Sequence, residues 1–295
     1  MVVIPMYKIC PDCSSEYINI NSASDFTHIH TENNEIVYSC ADCDWYEVKE
    51  KPFYVGAWSI EIRQALAPID MLESLLNDKD IVGFLKPRIK GHSHLRNLKL
   101  PPSGLELSDE YLRGEINIAY KVYLRQMVVI AASYIELILK DFFTSLYTSK
   151  PRSMNQVLQP YGEKRAYVSL NEILESESKK ELVQHLVDRA ARRKVSNDLD
   201  KILKQLISDC GLELDRPFVE DVCSLKEKRN RIVHEETDEE ISVDQVYDYF
   251  RLIQYLLYVL AKVSEQKKVP CLDDTGFLRD FEDRLHDNGK NEDKK

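Results

Sequence analysis

Leu225-Lys226-Glu227-Lys228-Arg229-Asn230-Arg231-Ile232-Val233-His234 is the stretch whose reading decides the fold. At roughly 100° of rotation per residue of helix, Phe218, Val222, Leu225, Ile232 and Val233 share one face. Arg229 projects near the middle of that face, so it is expected to point inward. Asn230 and His234 are four residues apart and stack one turn above the other on its flank. A guanidinium cannot lose its charge and is costly to bury unless it meets a carboxylate or a phosphate. A histidine beside it can exchange protons near neutral pH. Those are the parts needed to work on a phosphodiester. Geometry also leaves a second reading open, in which Arg229 pairs with a buried carboxylate, Glu136 being the obvious candidate, and His234 only caps the helix.

The segments around this stretch are helical. Pro101-Pro102-Ser103-Gly104 marks a boundary, after which Ser108-Asp109-Glu110 opens a long helix with a capping residue and acids in its first turn. From Tyr120 to Tyr147 that helix is apolar nearly all round, so it needs neighbours on most sides and suits the centre of a bundle or a dimer interface. Glu136 lies within it, and an acid there is expected to need a partner. Pro151, Pro160 and Gly162 give an irregular connection, and Ser169-Leu170-Asn171-Glu172 reads as a capping box. Leu182, Val183, Leu186 and Val187 define one amphipathic face, and Leu199, Ile202, Leu203, Leu206 and Ile207 define the next, ending at Gly211. Arg189, Arg192, Arg193 and Lys194 cluster between them. Pro217 suits the first turn of the helix that carries Arg229. Ser242-Val243-Asp244-Gln245 is a second capping box, and Val246, Phe250, Ile253, Leu257 and Leu260 form the stripe of a last strong helix. After Val269-Pro270 the chain turns polar, and Asp287 to Lys295 are expected to be disordered.

Arg229-Asn230-Arg231-Ile232-Val233-His234 resembles the R-x(4 to 6)-H signature of HEPN ribonuclease domains, in the form with Asn directly after Arg. The helices on either side come in the order that family's bundle requires, over about Ser108 to Lys268. Met127 to Phe143 resembles the first core helix of some HEPN domains, which carries an acid in a setting like that of Glu136. The resemblance implies RNA cleavage without a catalytic metal. Arg229 and His234 would carry the chemistry, Asn230 would position them, and Glu136 would orient Arg229 or join the site. It further implies 2′,3′-cyclic phosphate products, a homodimer sharing one active site, and a role in defence or as a toxin. An inactive HEPN scaffold that dimerises and binds RNA, nucleotide or a protein partner is the rival reading.

Other segments fill in the organisation. The chain has 295 residues, 43% of them hydrophobic, enough for a sizeable core and about two domains. Cys10-Pro11-Asp12-Cys13 and Cys40-Ala41-Asp42-Cys43 are two C-x-x-C pairs, the ligand count and spacing of a tetrahedral zinc site. Alternation at Tyr17-Ile18-Asn19-Ile20 and again at Glu35-Ile36-Val37-Tyr38 suits short strands, Trp45-Tyr46-Glu47-Val48 follows the second pair, and the module resembles a zinc ribbon. Zinc there would supply much of the folding energy. The 26-residue gap between the pairs contains His28 and His30, which leaves a Cys/His ligand swap open. Residues 1–51 carry three lysines against nine acidic residues. That charge repels a phosphate backbone and points to a structural or protein-contact role, such as holding an antitoxin. Trp58, Ile62, Leu66, Ile69, Leu72 and Leu76 recur at helical spacing, with a kink expected at Pro68.

The net charge of -10 argues against a general nucleic-acid coat. RNA contact is therefore expected at Lys86, Arg88, Lys90, Arg96 and Lys99, a run with no acid between Phe84 and Leu100. The longest apolar run, Met127 to Ile135, falls short of the ~18 residues of a membrane span. The start lacks a secretory pattern. A cytoplasmic protein without membrane association is expected, with its seven cysteines reduced or metal-bound. The fold expected is mostly α, an antiparallel helical bundle preceded by a small β zinc ribbon. Its parts are a four-cysteine module at 1–55, a helical linker with a basic loop at 56–106, a HEPN-like bundle at 107–268 and a polar, partly disordered tail at 269–295.

Overall fold

A computed structural model describes residues 18–22, 35–40, 42–43, 46–50, 52–78, 109–159, 168–196, 199–210, 217–234 and 239–292. The chain is mostly α-helical. Near its start, β1 (Ile18–Ser22), β2 (Glu35–Cys40) and β3 (Tyr46–Glu50) form an antiparallel sheet in that order. Ile18 stands opposite Cys40, and Ser39 opposite Tyr46. β1 and β2 overlap the two segments read as short strands, and β3 covers the Tyr46-Glu47-Val48 segment that follows the second cysteine pair.

The helical part divides into two compact units, and four helices contribute residues to both. The first unit takes in Met1–Ile60, Ser133–Ser224 and Leu252–Lys295. Here β4 (Phe53–Tyr54) pairs in parallel with β5 (Cys271–Leu272), and the Phe53 N–H donates to the Pro270 carbonyl at 2.8 Å. Helix α1 (Val55–Asn77) begins in this unit. Trp58 Nε1 donates to Asp141 at 2.9 Å on helix α2 (Asp109–Ser149), and Phe53 meets Phe142 edge-on at 5.6 Å. Ile138, Leu139 and Phe142 are fully buried.

After a 3₁₀ turn at Pro151–Met154 and the short α3 (Asn155–Leu158), the chain continues through α4 (Leu170–Glu175), α5 (Lys179–Val195) and α6 (Leu199–Cys210). The Ser169 capping box is present: the Glu172 N–H donates to Ser169 Oγ at 3.2 Å and the Ser169 N–H to Glu172 Oε2 at 2.8 Å. Those Ser169 bonds, with Arg189 beyond them, hold the Glu172 carboxyl below the usual range. Arg189 pairs with Glu172, and Lys194 lies over the Phe143 ring at 5.9 Å, so part of the α5 basic cluster serves packing.

Helix α7 (Pro217–His234) starts in this unit with Phe218 edge-on to Tyr255 at 4.9 Å. Tyr255 belongs to α8 (Val243–Gln266), which opens on the second capping box, Gln245 N–H to Ser242 Oγ at 3.2 Å. The predicted α8 stripe of Val246, Phe250, Ile253, Leu257 and Leu260 is completely buried.

Two expectations are corrected. The segment after Pro270 is not simply a polar tail: it carries β5 and helix α9 (Phe277–Glu292). Phe277, Leu278 and Phe281 are buried at helical spacing, and Phe281 packs on Tyr258 with ring centroids 5.4 Å apart. The α2 stretch Leu112–Ser149 is long and apolar enough to cross a membrane by length and composition alone. Its buried residues, among them Leu124, Met127, Val128, Ile135 and Phe142, place it in the helical core.

The second unit takes in Glu61–Ala132 and Leu225–Arg251. Ile62 and Ile69 of α1, Leu112, Leu124, Met127 and Val128 of α2, Leu225 of α7, and Val246 and Phe250 of α8 are buried. Pro68 lies inside α1 without ending it. Tyr247 donates its hydroxyl to Asp70, and that bond, together with burial, pushes the phenol up to about 12.

Candidate functional site

The site lies in the second unit, at the end of α7. Proline opens this helix, Glu220 lies in its first turn, and Arg231 and His234 lie in its last, where cations suit the helix dipole. Its buried residues are Phe218, Val219, Val222, Leu225 and Lys228.

That stripe corrects the expectation for Arg229. From Val222 it advances by steps of three, to Leu225 and then Lys228, which leaves Arg229 on the flank and half-buried. Val233, counted as part of the apolar face, is 46% exposed. Arg229 donates from Nη1 to Asn230 Oδ1 at 2.9 Å. Asn230 and His234 are exposed, four residues apart, and His234 is the last residue of the helix. An accessible cation braced by an amide and an accessible imidazole thus stand on one helical end.

The inward cation is Lys228, 7% exposed. Its Nζ lies 3.0 Å from Glu239 Oε1 and 5.7 Å from the centre of the Tyr249 ring. Burial alone would lower this ammonium's pKa, but hydrogen bonding to Tyr249 and Glu239 outweighs it and leaves the pKa raised. Glu239 has further cationic neighbours. Arg231 Nη2 is 3.9 Å from its Oε2, and Arg125 of α2 donates from Nε to its main-chain carbonyl at 3.1 Å. Next to it, Lys121 pairs with Glu240 and lowers that carboxyl's pKa. In the sequence, Glu239 and Glu240 belong to an acidic run, Glu235 to Glu240, without the periodicity that would single out a partner for either. The missed signal is Lys228 itself, three residues beyond Leu225 on the buried stripe.

Glu136 is exposed on α2 and belongs to the first unit, so it is not the buried acid that the sequence suggested. The helix is less apolar in its surroundings than in its composition, since Leu137 beside it is also 48% exposed. Lys86, Arg88, Lys90, Arg96 and Lys99 lie outside the described residues, as do Cys10 and Cys13. Cys40 ends β2 and Cys43 is half-buried three residues later. Among the described residues no three histidine, cysteine or acidic side chains come together as a metal site.

The sequence model of the family described as RiboL-PSP-HEPN matches residues 105–266, more than half of the chain. The chain belongs to the RiboL-PSP-HEPN family. No curated protein and no solved structure matches it. The HEPN region includes the whole of α2, α7 and α8, and the ion pairs around Glu239. The β1–β3 sheet, α1 and α9 lie outside it.

Proposed function

We propose that the protein is a metal-independent endoribonuclease of HEPN type that cuts single-stranded RNA and leaves 2′,3′-cyclic phosphate ends. The observation that carries this reading is the accessible end of α7, where Arg229 is braced by Asn230 and His234 is open to solvent inside the matched HEPN region. In the reaction His234 takes the proton of a 2′-hydroxyl, that oxygen attacks the phosphorus, and the bond to the 5′-oxygen breaks. A second imidazole returns a proton to the leaving oxygen, and arginine stabilises the charge on the phosphoryl oxygens. Glu136, exposed on α2, has at most an indirect part in this scheme.

One chain carries one copy of the motif, so we assign the second imidazole to His234 of the partner subunit in a twofold homodimer. The reading is supported by apolar side chains left open in the same unit: Ile118, Val122 and Ile130 on α2 and Val233 on α7. RNA would be gathered by Lys86, Arg88, Lys90, Arg96 and Lys99. Cys10, Cys13, Cys40 and Cys43 would hold a structural zinc ion, which steadies the β1–β3 module without entering the reaction. The acidic charge of that module suits a protein partner or an antitoxin, and the whole would act in the cytoplasm in defence or as a toxin.

The deciding experiment incubates the purified protein with single-stranded RNA pools in chelator. Cleavage to cyclic phosphate ends is expected, falling by ~10²-fold or more in His234→Ala with its fold intact. Intact RNA at high protein concentration, or cleavage that survives the substitution, would leave an RNA- or partner-binding scaffold instead.

A further inference from the structure

The two groups assigned to chemistry stand on the least secure part of a helix. The last four carbonyls of an α-helix lack intrahelical partners, and helix ends fray. His234 is the terminal residue of α7 and is exposed, and Arg229 lies only five residues before it. An imidazole that must meet a scissile phosphate cannot tolerate displacement, since a misplacement of ~1 Å can cost about 10²-fold in rate.

Lys228 addresses this difficulty. Its position on the stripe below Leu225 would be filled at less cost by leucine or methionine, because an ammonium must be desolvated there. The ammonium is nevertheless buried, 3.0 Å from Glu239. Glu239 is the fifth residue after His234, so this ion pair returns the chain leaving α7 to the helix one residue before Arg229. Arg125 of α2 holds the Glu239 carbonyl at 3.1 Å, and Arg231, from the last turn itself, lies 3.9 Å from the carboxylate. Glu239, five residues beyond the motif, is therefore fastened to both α7 and α2.

We infer that Lys228 is a positioning residue: through Glu239, its buried ammonium holds the last turn of α7 formed and so fixes Arg229 and His234. At 7% exposure it is too enclosed to touch RNA, and it acts through the residues on either side. A buried ion pair serves here to select one arrangement of the chain rather than to add stability. The inference deepens the ribonuclease reading and rests on it for its effect on rate, whereas its effect on the helix end does not.

The full-length chain is compared as wild type, Lys228→Met, Lys228→Arg and Glu239→Gln. Methionine keeps the apolar stem and removes the charge. Hydrogen–deuterium exchange should show the amides of Arg231 to His234 exchanging ~10-fold faster or more in Lys228→Met, with those of Ile253 to Leu260 unchanged. On single-stranded RNA, kcat should fall ~10- to 100-fold with KM within about twofold. Lys228→Arg should bring both readouts back towards wild type. Unchanged exchange at Arg231 to His234 would overturn the inference, as would faster exchange with kcat unaltered. If Lys228→Met does not fold, the same readouts on Glu239→Gln, whose side chain is partly exposed, decide the matter. A wild type that cuts no RNA would refute the ribonuclease reading alone, and the exchange measurement would still test what Lys228 holds.

Discussion

Replacing Asp273 with alanine should destabilise the protein by about 3 kcal/mol, through release of α9. Asp273 is fully buried. Its carboxylate accepts the N–H groups of Phe277 at 3.1 Å and Leu278 at 2.9 Å, and the Thr275 hydroxyl at 2.9 Å. Phe277 and Leu278 are the first two residues of α9, and the residue before them is Gly276, with φ of 73° and no side chain able to cap. Asp273 therefore does from three residues upstream what a capping side chain usually does from the helix edge. Alanine leaves two buried N–H groups without an acceptor, at about 1–3 kcal/mol each, and removes a negative charge from the positive end of the helix, worth ~0.3–1 kcal/mol. Release of a desolvated carboxylate returns part of this, which brings the net to about 3. Asparagine keeps an acceptor and loses the charge, so it should cost roughly half as much. Denaturant unfolding measures the change, and exchange of the Phe277 to Phe281 amides locates it. A midpoint for Asp273→Ala equal to wild type, or unaltered protection across α9, would refute the reasoning.

Freshly purified protein should contain about one zinc per chain, and Cys10→Ser or Cys40→Ser should remove it; elemental analysis finding no zinc in wild type would sink the four-cysteine site. Reversing the charges of Lys86, Arg88 and Lys90 together should weaken RNA binding and flatten its salt dependence, by about 0.7 in slope for each phosphate no longer neutralised; an unchanged slope would leave that run without a part in capture. Activity per chain should fall on dilution as the mass in solution moves from dimer to monomer, and a monomer of constant specific activity would exclude a shared site.

Much of the helical frame can be read from the chain because its signals are local. Ser169 with Glu172, and Ser242 with Gln245, satisfy helix ends within four residues, and both capping boxes form as read. The stripe of α8 is wholly buried because five apolar residues at one period leave no competing face. The errors arise where a side chain's direction depends on a distant partner. Lys228 reads as polar and so falls outside the apolar face, yet its long stem can follow a buried stripe while the ammonium reaches out to Glu239. That partner lies 11 residues on, in a segment without periodicity. An apolar count that includes Val233 gives Arg229 the inward place, but solvent reaches Val233. The helix α9 is hidden because Phe277, Leu278 and Phe281 occur in an otherwise charged sequence, and only packing against Tyr258 and its neighbours shows that they suffice.

The charge arrangement around α7 also bears on how an acidic protein could take a polyanion. Lys121, Arg125, Lys228 and Arg231 form a basic group in the second unit, and a surface reading would assign all four to RNA. Their partners say otherwise. Lys228 is buried against Glu239, which also engages Arg125 through its carbonyl and Arg231 through its carboxylate, while Lys121 is matched by Glu240. A phosphate approaching these cations would compete with carboxylates joined to the same chain, whose effective concentration far exceeds that of a free ligand. The group therefore shapes the end of α7 more than it attracts RNA. Arg229 is different, since its Nη1 hydrogen bond goes to the neutral amide of Asn230. That bond orients the guanidinium and leaves its charge unneutralised by that partner, as contact with a phosphoryl oxygen requires. On the proposed reading long-range attraction comes from elsewhere, and the acid-free run from Lys86 to Lys99 is the part of the sequence with the composition to supply it. Capture and chemistry are on that reading separated along the chain, and Glu239, paired with Lys228, serves the chemistry by holding the end of α7 in place.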